Sequence, residues 1–434
     1  MTKCTVDERL ALIRRVGEEI IGEEELKALL EGKQRFVAYD GFEPSGRIHI
    51  AQAILRAINV NRMTMAGADF TMFVADWHAW ANNKLGGDLE RIQTTGKYFI
   101  EVWKASGMDL KHVEFVWASD LVKDDAYWRK VMQVATATTL KRVLRTTQIM
   151  GRSESDALQA SQILYPCMQA ADIFYLKADV CQLGMDQRKV NVLARELAEK
   201  LGHTKPIVVS HHMLMGLSEP PQDLRFSLDL DAFNNKSKFK YYTDKNEYIL
   251  EDTTTNQKVS IRKGIKEYRY PEGSTINVTS DSTFPSSLRF EYKVGATERA
   301  MAMKMSKSKP DTAIFVTDTK EEVERKLKKA YCPEGQAEEN PILEYCRYLI
   351  FAVLEEKGEA FVIERPEKFG GTVSFKSYTE LERAFVAKSI HPMDLKAATG
   401  KYVNRLLEPI RKHFAEDEEA RRLKDLVESY QVTR

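Results

Sequence analysis

The chain has 434 residues, of which 43% are hydrophobic and 30% charged, and its formal net charge is +1. This length exceeds the usual single-domain range, so two domains are expected, and 19 Phe, 17 Tyr and 5 Trp can build a sizeable core, so disorder is not indicated. The near-neutral charge excludes a bulk polycation, so nucleic-acid binding would need local basic patches.

The cysteines are odd in number and show no CxxC or CxxH spacing, which argues against a disulfide framework and against a zinc site. They are Cys4, Cys167, Cys181, Cys332 and Cys346. No apolar run approaches membrane-spanning length, and the acidic, amphipathic residues 1–27 differ from a signal or transit peptide. We therefore expect a cytoplasmic protein with no bound structural metal and no membrane association.

Up to residue 210 the hydrophobic periodicity alternates between helical and extended. The predicted elements are helix Val6–Leu30, strand Arg35–Tyr39, helix Ile48–Met65, strand Phe70–Ala75, helix Asp88–Ser106, strand Val113–Trp117, helix Lys130–Met150, strand Ala178–Leu183, helix Arg188–Leu201 and strand Pro206–Ser210. This alternation predicts an α/β fold with a parallel, doubly wound sheet, whose ligand site lies beyond the carboxyl ends of the strands.

The remainder of the chain has a different texture. Residues 219–297 contain short aromatic strands separated by Asn, Asp, Gly and Ser, predicted at 239–242, 248–250, 259–261, 268–270, 276–278 and 289–294. A helix follows over Lys320–Ala330, and the chain from Pro341 onward is predicted to be all-helical. Residues 219–297 are therefore a strand-rich insertion between two regions of different class.

Two segments are suited to binding a polyphosphate. Pro44–Ile50, with sequence PSGRIHI, follows a strand and enters a helix, where backbone N–H groups and the helix dipole can hold phosphate. Lys304–Ser308, with sequence KMSKS, places two lysines and two hydroxyls on one loop, which suits developing negative charge. Taken alone, the second segment could be a solvated basic loop, but the two together in this order are more specific.

Between them lies a cluster of polar residues at helical spacing. Tyr165, Gln169 and Asp172 stand at positions i, i+4 and i+7, so a helix places all three on one face. An ordinary helix with Tyr165 in the core and Gln169 in solvent is the alternative.

These motifs resemble a known family. Pro44–Ile50 and Lys304–Ser308 are similar to the HIGH and KMSKS signatures of class I aminoacyl-tRNA synthetases. Further segments resemble the pocket segments and C-terminal motifs of the archaeal and eukaryotic tyrosyl-tRNA synthetases; they are Tyr39–Gly46, Tyr165–Asp172, Gly184–Lys189, Arg365–Gly371 and His391–Lys396. The resemblance covers nearly the whole chain apart from the insertion.

The resemblance implies a fold and an activity. It implies a Rossmann-like catalytic domain at 1–335, which contains the 219–297 insertion, and an all-helical anticodon-binding domain at 341–434. It implies a tyrosine–tRNA ligase that uses ATP with Mg²⁺, releases AMP and pyrophosphate, and binds tRNA(Tyr). A homodimer is inferred from the family, with the apolar 98–134 stretch available for an isologous interface.

The resemblance also assigns the amino-acid pocket. Tyr39 and Asp172 match the pair that holds the phenolic hydroxyl of tyrosine, which can donate and accept a hydrogen bond. The residues matching those that hold the substrate's α-amino group are Tyr165, Gln169 and Gln187. Glu43 is included in the pocket, although a carboxylate in a turn is usually solvated.

Amino-acid activation needs positioning and charge stabilisation but no protein nucleophile, because the substrate carboxylate attacks the α-phosphate. The implied catalytic residues are His49, Lys304 and Lys307. The implied ATP-binding residues are Gly46, His49, Gln52, Gly184, Asp186, Leu217, Lys304, Met305, Ser306, Lys307 and Ser308. The sequence departs from the HIGH signature at Ala51 and Gln52, where the family usually has Gly-His, and this indicates altered phosphate contacts.

The resemblance places RNA contacts at both ends of the chain. Arg145, Arg188 and Lys189 are expected near the first base pair of the acceptor stem, although any one of them could simply belong to a solvated helix face. Phe369 and His391 could stack an unpaired anticodon base, and Asp394 could accept a hydrogen bond from guanine. Phe369 could instead be a core aromatic and Asp394 a helix cap.

Three alternatives stay open from the sequence. A tryptophanyl-tRNA synthetase shares the fold, but Tyr39 and Asp172 suit a phenol better than an indole, which only donates. A non-catalytic RNA-binding relative would account for Ala51, Gln52 and the insertion. His78 follows a strand and could either face the site or be a structural histidine.

Overall fold

The computed structural model describes residues 4–151, 157–229, 239–244, 247–252, 258–262, 267–269, 274–280, 287–295, 299, 302–305 and 309–430. The internal contacts divide the chain into two compact units. One unit is formed by Met1–Ser218 with Lys304–Arg434, and the other is Glu219–Met303. Three residues of the predicted ATP site, Ser306, Lys307 and Ser308, lie outside the described residues.

A six-stranded sheet organises the first unit. Its strands are β1 (Gly17–Ile21), β2 (Phe36–Phe42), β3 (Ala68–Val74), β4 (Val113–Trp117), β5 (Val180–Gly184) and β6 (Ile207–His211), in the order β1-β6-β5-β2-β3-β4. The strands from β6 to β4 are parallel, and β1 joins β6 in the antiparallel direction. The predicted parallel-sheet α/β fold is confirmed, with an added antiparallel edge strand.

Helices cover both faces of this sheet. The described helices are α1 (Val6–Arg14), α2 (Glu23–Gly32), α3 (Arg56–Met65), α4 (Asp76–Ala81), α5 (Leu89–Ala105), α6 (Ala118–Leu121), α7 (Asp125–Ala137), α8 (Leu140–Thr146), α9 (Ala160–Tyr175), α10 (Arg188–Ala198), α11 (Lys320–Lys329), α12 (Pro341–Tyr345), α13 (Phe351–Lys357), α14 (Tyr378–Val386), α15 (Pro392–Glu416) and α16 (Glu418–Ser429). Because side chains alternate along β2, Ala38 belongs to the core on one face and Tyr39 to the core on the other.

Two helices predicted as continuous are interrupted. In place of the predicted helix Val6–Leu30, the structure has α1, strand β1 and α2. Gly22 adopts a left-handed conformation (φ 90°) and separates β1 from α2. The predicted helix Lys130–Met150 is split into α7, α8 and a 3-10 turn over Thr147–Met150. Thr139 caps the new start, since its side chain accepts a hydrogen bond from the Arg142 backbone N–H.

The second unit consists of short antiparallel strands. Its described strands are β7 (Leu224–Asp229), β8 (Phe239–Asp244), β9 (Glu247–Asp252), β10 (Lys258–Arg262), β11 (Glu267–Arg269), β12 (Thr275–Ser280) and β13 (Ser287–Lys293). They form a three-stranded sheet, β10-β9-β8, and a four-stranded sheet, β11-β12-β13-β7. The strand-rich character matches the prediction, although β7 was not predicted.

The C-terminal region is helical, as predicted, with one exception to the term all-helical. Strands β14 (Phe361–Ile363) and β15 (Val373–Phe375) form a two-stranded antiparallel sheet. The apolar, β-branched side chains of β14 favour extended backbone. Helix α15 packs on the first unit's core, because the Phe414 ring lies 5.5 Å from the Tyr98 ring of α5. In the described part of the chain, no helix is long and apolar enough to span a membrane.

Candidate active site

The candidate site lies at the carboxyl ends of β2, β5 and β6. Parallel strands present these ends at one edge of the sheet, which is where open α/β sheets bind ligands. Tyr39 and Gly41 stand in the second half of β2, and the Pro44–Ile50 segment follows β2. Asp186 lies in the 3-10 turn that follows β5. The sheet thus brings residues from distant parts of the sequence to one edge.

A fully buried carboxylate lies at the end of the site that is predicted to bind the amino acid, which we call the amino-acid end. Asp172 on α9 accepts a hydrogen bond of 2.9 Å from the Tyr127 hydroxyl. Its other oxygen lies 2.9 Å from His78 Nε2, at ion-pair distance but without the alignment of a hydrogen bond. Burial lowers the pKa of His78, but the Asp172 carboxylate outweighs this and raises it overall. His78 therefore lies beside Asp172, one of the predicted pocket residues.

Tyr39 reaches the same region from β2. Its side chain is buried, and burial followed by the Asp172 carboxylate raises the pKa of its hydroxyl well above the usual value, so the phenol stays protonated. A Cβ atom at Gly41 would lie only 2.8 Å from the Tyr39 hydroxyl oxygen. Glycine at position 41 therefore makes room for this hydroxyl.

The helix face predicted from the sequence is present on α9. Gln169 Nε2 donates to Gln187 Oε1 at 3.2 Å, and Gln187 Nε2 donates to the Ile149 carbonyl at 3.0 Å. Gln169 Oε1 is buried and has no hydrogen-bond partner among the described residues. The Tyr165 ring packs edge-on against His78 at 5.1 Å. A buried acceptor of this kind is suited to a substrate ammonium group.

Glu43 is held by the protein and is not simply solvated in its turn. Its carboxylate accepts from Asn82 Nδ2 at 3.1 Å and lies 3.5 Å from Lys84 Nζ. Burial first, and then the Glu43 carboxylate, raise the pKa of the Tyr165 hydroxyl. The structure therefore places Glu43 beside the predicted pocket residue Tyr165.

At the end of the site that is predicted to bind the phosphates of ATP, which we call the phosphate end, the side chains are more exposed to solvent. Lys304 Nζ lies 2.6 Å from Asp186 Oδ2, and these side chains are 46% and 32% exposed. The Asp186 carboxylate raises the pKa of Lys304, and the lysine lowers that of Asp186 against the opposing effect of burial. Lys304 also pairs with Met215 in an isolated antiparallel bridge. Two residues predicted to bind ATP are thus joined as an ion pair.

The HIGH-like segment pairs with the chain that follows the KMSKS segment. Ile50 N–H donates to the Ile314 carbonyl at 2.8 Å, and Val316 N–H donates to the Ile48 carbonyl at 3.2 Å. His49 lies between these bonds and is buried. The helix predicted from Ile48 therefore begins later, with a π-helical turn at Ala51–Leu55 ahead of α3.

The remaining residues predicted to bind ATP differ in backbone conformation, burial and hydrogen bonding. Gly46 needs its left-handed φ of 99°, and a Cβ at Gly184 would lie 2.6 Å from Asp186 Oδ1. Gln52 Oε1 is buried without a hydrogen-bond partner in the described structure. Leu217 is buried, and both its backbone groups are already bonded within the protein, to Thr312 and Tyr331. Met305 is also buried.

Sequence reasoning missed a buried polar cluster beneath this edge. Asp40 and Arg56 form an ion pair of 3.1 Å, and burial raises the pKa of Asp40 to about 7. The Gln182 side chain lies 2.6 Å from His211 Nδ1, and burial lowers the pKa of His211 to about 3. Asp40 and Gln182 interrupt otherwise apolar strands, and this was the signal available in the sequence.

The predicted RNA-binding residues lie on the surface with different partners. Arg145 is exposed on α8, Arg188 forms a bidentate pair with Glu19, and Lys189 contacts Gln148. Phe369 is 60% exposed and so is no core aromatic. His391 caps α15 by accepting from the Met393 N–H, whereas Asp394 lies in the first turn.

Comparison with known proteins agrees with this geometry. The family of class I tRNA synthetases (W and Y) matches residues 31–222 and 289–408. The chain is 41% identical to the cytoplasmic tyrosine–tRNA ligase 1 of Arabidopsis thaliana over 99% of this chain and 90% of that protein. The tyrosyl-tRNA synthetase of Pyrococcus horikoshii, complexed with L-tyrosine, has 33% identity and a TM-score of 0.75 over 97% of this chain and 100% of that one.

A longer relative shows the same likeness. The tyrosyl-tRNA synthetase of Leishmania major in complex with tyrosinol is 38% identical with a TM-score of 0.75, over 99% of this chain and 61% of that chain. The chain described here belongs to the class I tRNA synthetases of the W and Y family. The family resemblance found in the sequence is confirmed, and the family match omits residues 223–288, within the insertion.

Proposed function

We propose that this protein is a tyrosine–tRNA ligase, which activates L-tyrosine with ATP to tyrosyl-adenylate and transfers the tyrosyl group to tRNA(Tyr). The observation that carries the proposal is Asp172, a fully buried carboxylate beside the buried Tyr39. Removing such a group from water is costly unless hydrogen-bond donors surround it, and the phenolic O–H of tyrosine is one such donor.

The same observation favours tyrosine over tryptophan. A phenolic hydroxyl can donate to Asp172 and accept from Tyr39, whereas an indole N–H can only donate. Phenylalanine would bring no donor to Asp172 Oδ2, which accepts no hydrogen bond from the described residues, and the established example of such discrimination is itself a tyrosyl synthetase, at about 10⁵. Gln169, with its open acceptor, and Gln187 are proposed to receive the α-amino group.

In the activation step, the substrate carboxylate attacks the α-phosphate of ATP and pyrophosphate leaves. His49 and Lys304 are proposed to stabilise the charge that develops on the phosphates, together with Lys307, whose role rests on its sequence position. Gly46, Gln52, Gly184 and Asp186 are proposed to line the nucleotide site. Mg²⁺ is proposed to arrive on the oxygens of ATP, because it is usually bound through substrate phosphates.

The roles in RNA binding and assembly are proposed from the family resemblance. Arg145, Arg188 and Lys189 are proposed to contact the acceptor stem. Phe369, His391 and Asp394 are proposed to contact the anticodon, within a C-terminal domain at 341–434.

A cytoplasmic homodimer is also proposed. Tyr98, Trp103 and Tyr127 of the 98–134 stretch are buried in this chain's own core, so an interface there would rest on exposed residues such as Met132. Sedimentation as a monomer at micromolar concentration would remove the dimer.

One assay separates the proposed function from its alternatives. We expect ATP–pyrophosphate exchange that depends on tyrosine, with no exchange above background for tryptophan. Exchange driven by tryptophan would establish a tryptophanyl enzyme instead. Absence of exchange with either amino acid, in a folded protein that binds tRNA, would establish a non-catalytic RNA-binding relative.

A further inference from the structure

His212, which directly follows β6, lies between two carboxylates from distant parts of the chain. Its Nδ1 hydrogen bonds with Glu18 of β1 at 3.2 Å, and its Nε2 lies 3.2 Å from Glu344 of α12 as an ion pair without hydrogen-bond alignment. The ring stacks on Tyr348 with centroids 4.2 Å apart and planes 11° from parallel. The imidazole is therefore fixed on three sides.

Glu344 also holds the backbone of the neighbouring segment. The same oxygen that faces His212, Oε2, accepts a hydrogen bond of 2.9 Å from the Met215 N–H. Met215 is the residue that pairs with Lys304 in the antiparallel bridge. A charged acceptor makes a stronger hydrogen bond than a neutral one, so Glu344 firmly fixes Met215, the partner of the Lys304 segment (Lys304 and Met305).

The adjoining residue of α12 contacts the other side of the same pairing. The Tyr345 hydroxyl lies 3.9 Å from the sulfur of Met305, and both side chains are buried. Asn340 caps this short helix by accepting from the backbone N–H groups of Ile342 and Leu343. Two consecutive residues of α12 therefore secure both Met215 and Met305, on either side of Lys304.

We propose that Glu344, with His212 as its counter-charge, is a positioning residue for amino-acid activation that holds the Lys304 segment in register with the nucleotide site. This inference rests on the proposed function, because it assumes that Lys304 acts on ATP. Glu344 does not itself touch the reacting atoms. It acts through Met215, whose strand pairing sets where the Lys304 backbone lies and hence where Lys304 Nζ reaches Asp186.

The charges around His212 give the arrangement a pH dependence. The groups that face it are Glu18 from β1, His211 beside it on β6, Glu344 from α12, and Arg347 and Tyr348 from the turn after α12. Burial lowers the pKa of His212, but the two carboxylates outweigh this and raise it to about 9. The charge is therefore present at neutral pH, and its stabilising effect, complete below about 6.5, is lost as pH rises through about 9.

Three variants and one control test the proposal through tyrosine-dependent ATP–pyrophosphate exchange. Glu344→Ala removes the acceptor and should lower kcat about tenfold, with KM for tyrosine changed less than about twofold. Glu344→Gln keeps an acceptor for the Met215 N–H but loses the charge, so it should recover most of kcat at pH 7. The control is Glu355→Gln, since Glu355 pairs with Arg15 on the surface and should leave all constants unchanged.

The pH profile supplies a measurement that a purely structural role would not move. The wild-type rate should fall as pH rises through about 9, this fall should begin at lower pH in Glu344→Gln, and it should disappear in His212→Gln. Unchanged kcat in folded Glu344→Ala, or a pH profile identical in the wild type, Glu344→Gln and His212→Gln, would overturn the inference. If the wild-type protein shows no pyrophosphate exchange, the proposed function fails and the inference is tested by hydrogen exchange of the Met215 amide instead. An increase of about tenfold in that rate in Glu344→Ala would support the structural part of the inference, and an unchanged rate would overturn it.

Discussion

The two ends of the candidate site are built on opposite principles. At the amino-acid end, Asp172, His78 and Tyr127 are buried and make their polar contacts with one another. At the phosphate end, Lys304 is 46% exposed and Asp186 is 32% exposed. For the substrates proposed above, the comparison teaches that the end predicted to recognise a side chain uses groups already removed from water, whereas the end predicted to recognise a polyphosphate uses groups that can exchange partners.

The energetics explain this difference. A buried carboxylate rejects a ligand that cannot hydrogen bond to it, because the desolvation cost remains unanswered. A lysine that must release its partner and take up a phosphate gains from partial hydration, since a fully buried ion pair would be costly to break. Asp186 thus holds Lys304 at little cost to the engagement with ATP that we propose for this lysine.

The largest expected effect is at the buried end. Asp172→Ala should lower kcat/KM for tyrosine activation by about 10³ or more, because the phenol loses its charged acceptor and the Tyr127 hydroxyl is left unpaired. Activation of phenylalanine should change far less, since it makes no such bond. Pyrophosphate exchange with each amino acid measures both, and equal losses would show that Asp172 does not read the phenol.

The next effect tests the exposed end. Lys304→Met should lower kcat of activation by about 10²-fold, while the Kd for tyrosine measured without ATP stays within about twofold, because a phosphate contact matters most in the transition state. The matched control is Lys401→Met, which breaks a surface lysine–carboxylate pair with Glu364. A weaker affinity for tyrosine in Lys304→Met would show that the two ends of the site do not act independently.

A smaller effect sharpens the role of the hydrogen bonds around Asp172. Tyr127→Phe should lower kcat/KM for tyrosine about tenfold by removing one donor from the buried carboxylate, which then holds the substrate in a less defined position. Tyr175→Phe is the matched control, because its hydroxyl donates to Asp124 at 2.7 Å near the surface. Similar kinetics for the two variants would show that Asp172 needs no support from Tyr127.

The sequence predicted those parts of the site that lie within one motif or one helix. The face formed by Tyr165, Gln169 and Asp172 follows from helical spacing, and the parallel sheet follows from the alternation of strands and helices. These features are local, so their geometry is contained in residue order. The same reasoning placed the Lys304 segment and the insertion without showing their contacts.

What could not be predicted depends on contacts between distant residues. Tyr127 and Asp172 are 45 positions apart, and Lys304 and Asp186 are 118 apart. Strand β1 was missed because Glu18 and Glu19 interrupt its apolar pattern, and it is stabilised by pairing with β6. Tertiary pairing of this kind overrides local propensity and leaves little trace in a single sequence.

The smallest expected effect concerns the insertion, residues 219–297, which begins directly after Ser218 and ends shortly before Lys304 in the sequence. Because Met215 pairs with Lys304, a short linker between Ser218 and Lys304 is geometrically reasonable, and Glu219–Met303 forms a compact unit of its own. The alternative is an inert excursion, since long insertions raise loop-closure entropy only slowly.

Replacing 219–303 by a short Gly-Ser linker should therefore leave a folded protein with its tyrosine affinity intact. We expect KM for ATP or kcat of activation to change about threefold, because Met215, shortly before the replaced stretch, pairs with Lys304, directly after it, and movement of Lys304 should accompany activation. Tyrosine affinity should not follow, because the contacts that the structure describes for Asp172 are with Tyr127 and His78, both outside the replaced stretch. If both ATP constants survive the replacement unchanged, the insertion has no part in activation; if tyrosine affinity falls with them, the two ends of the site are less independent than their burial indicates.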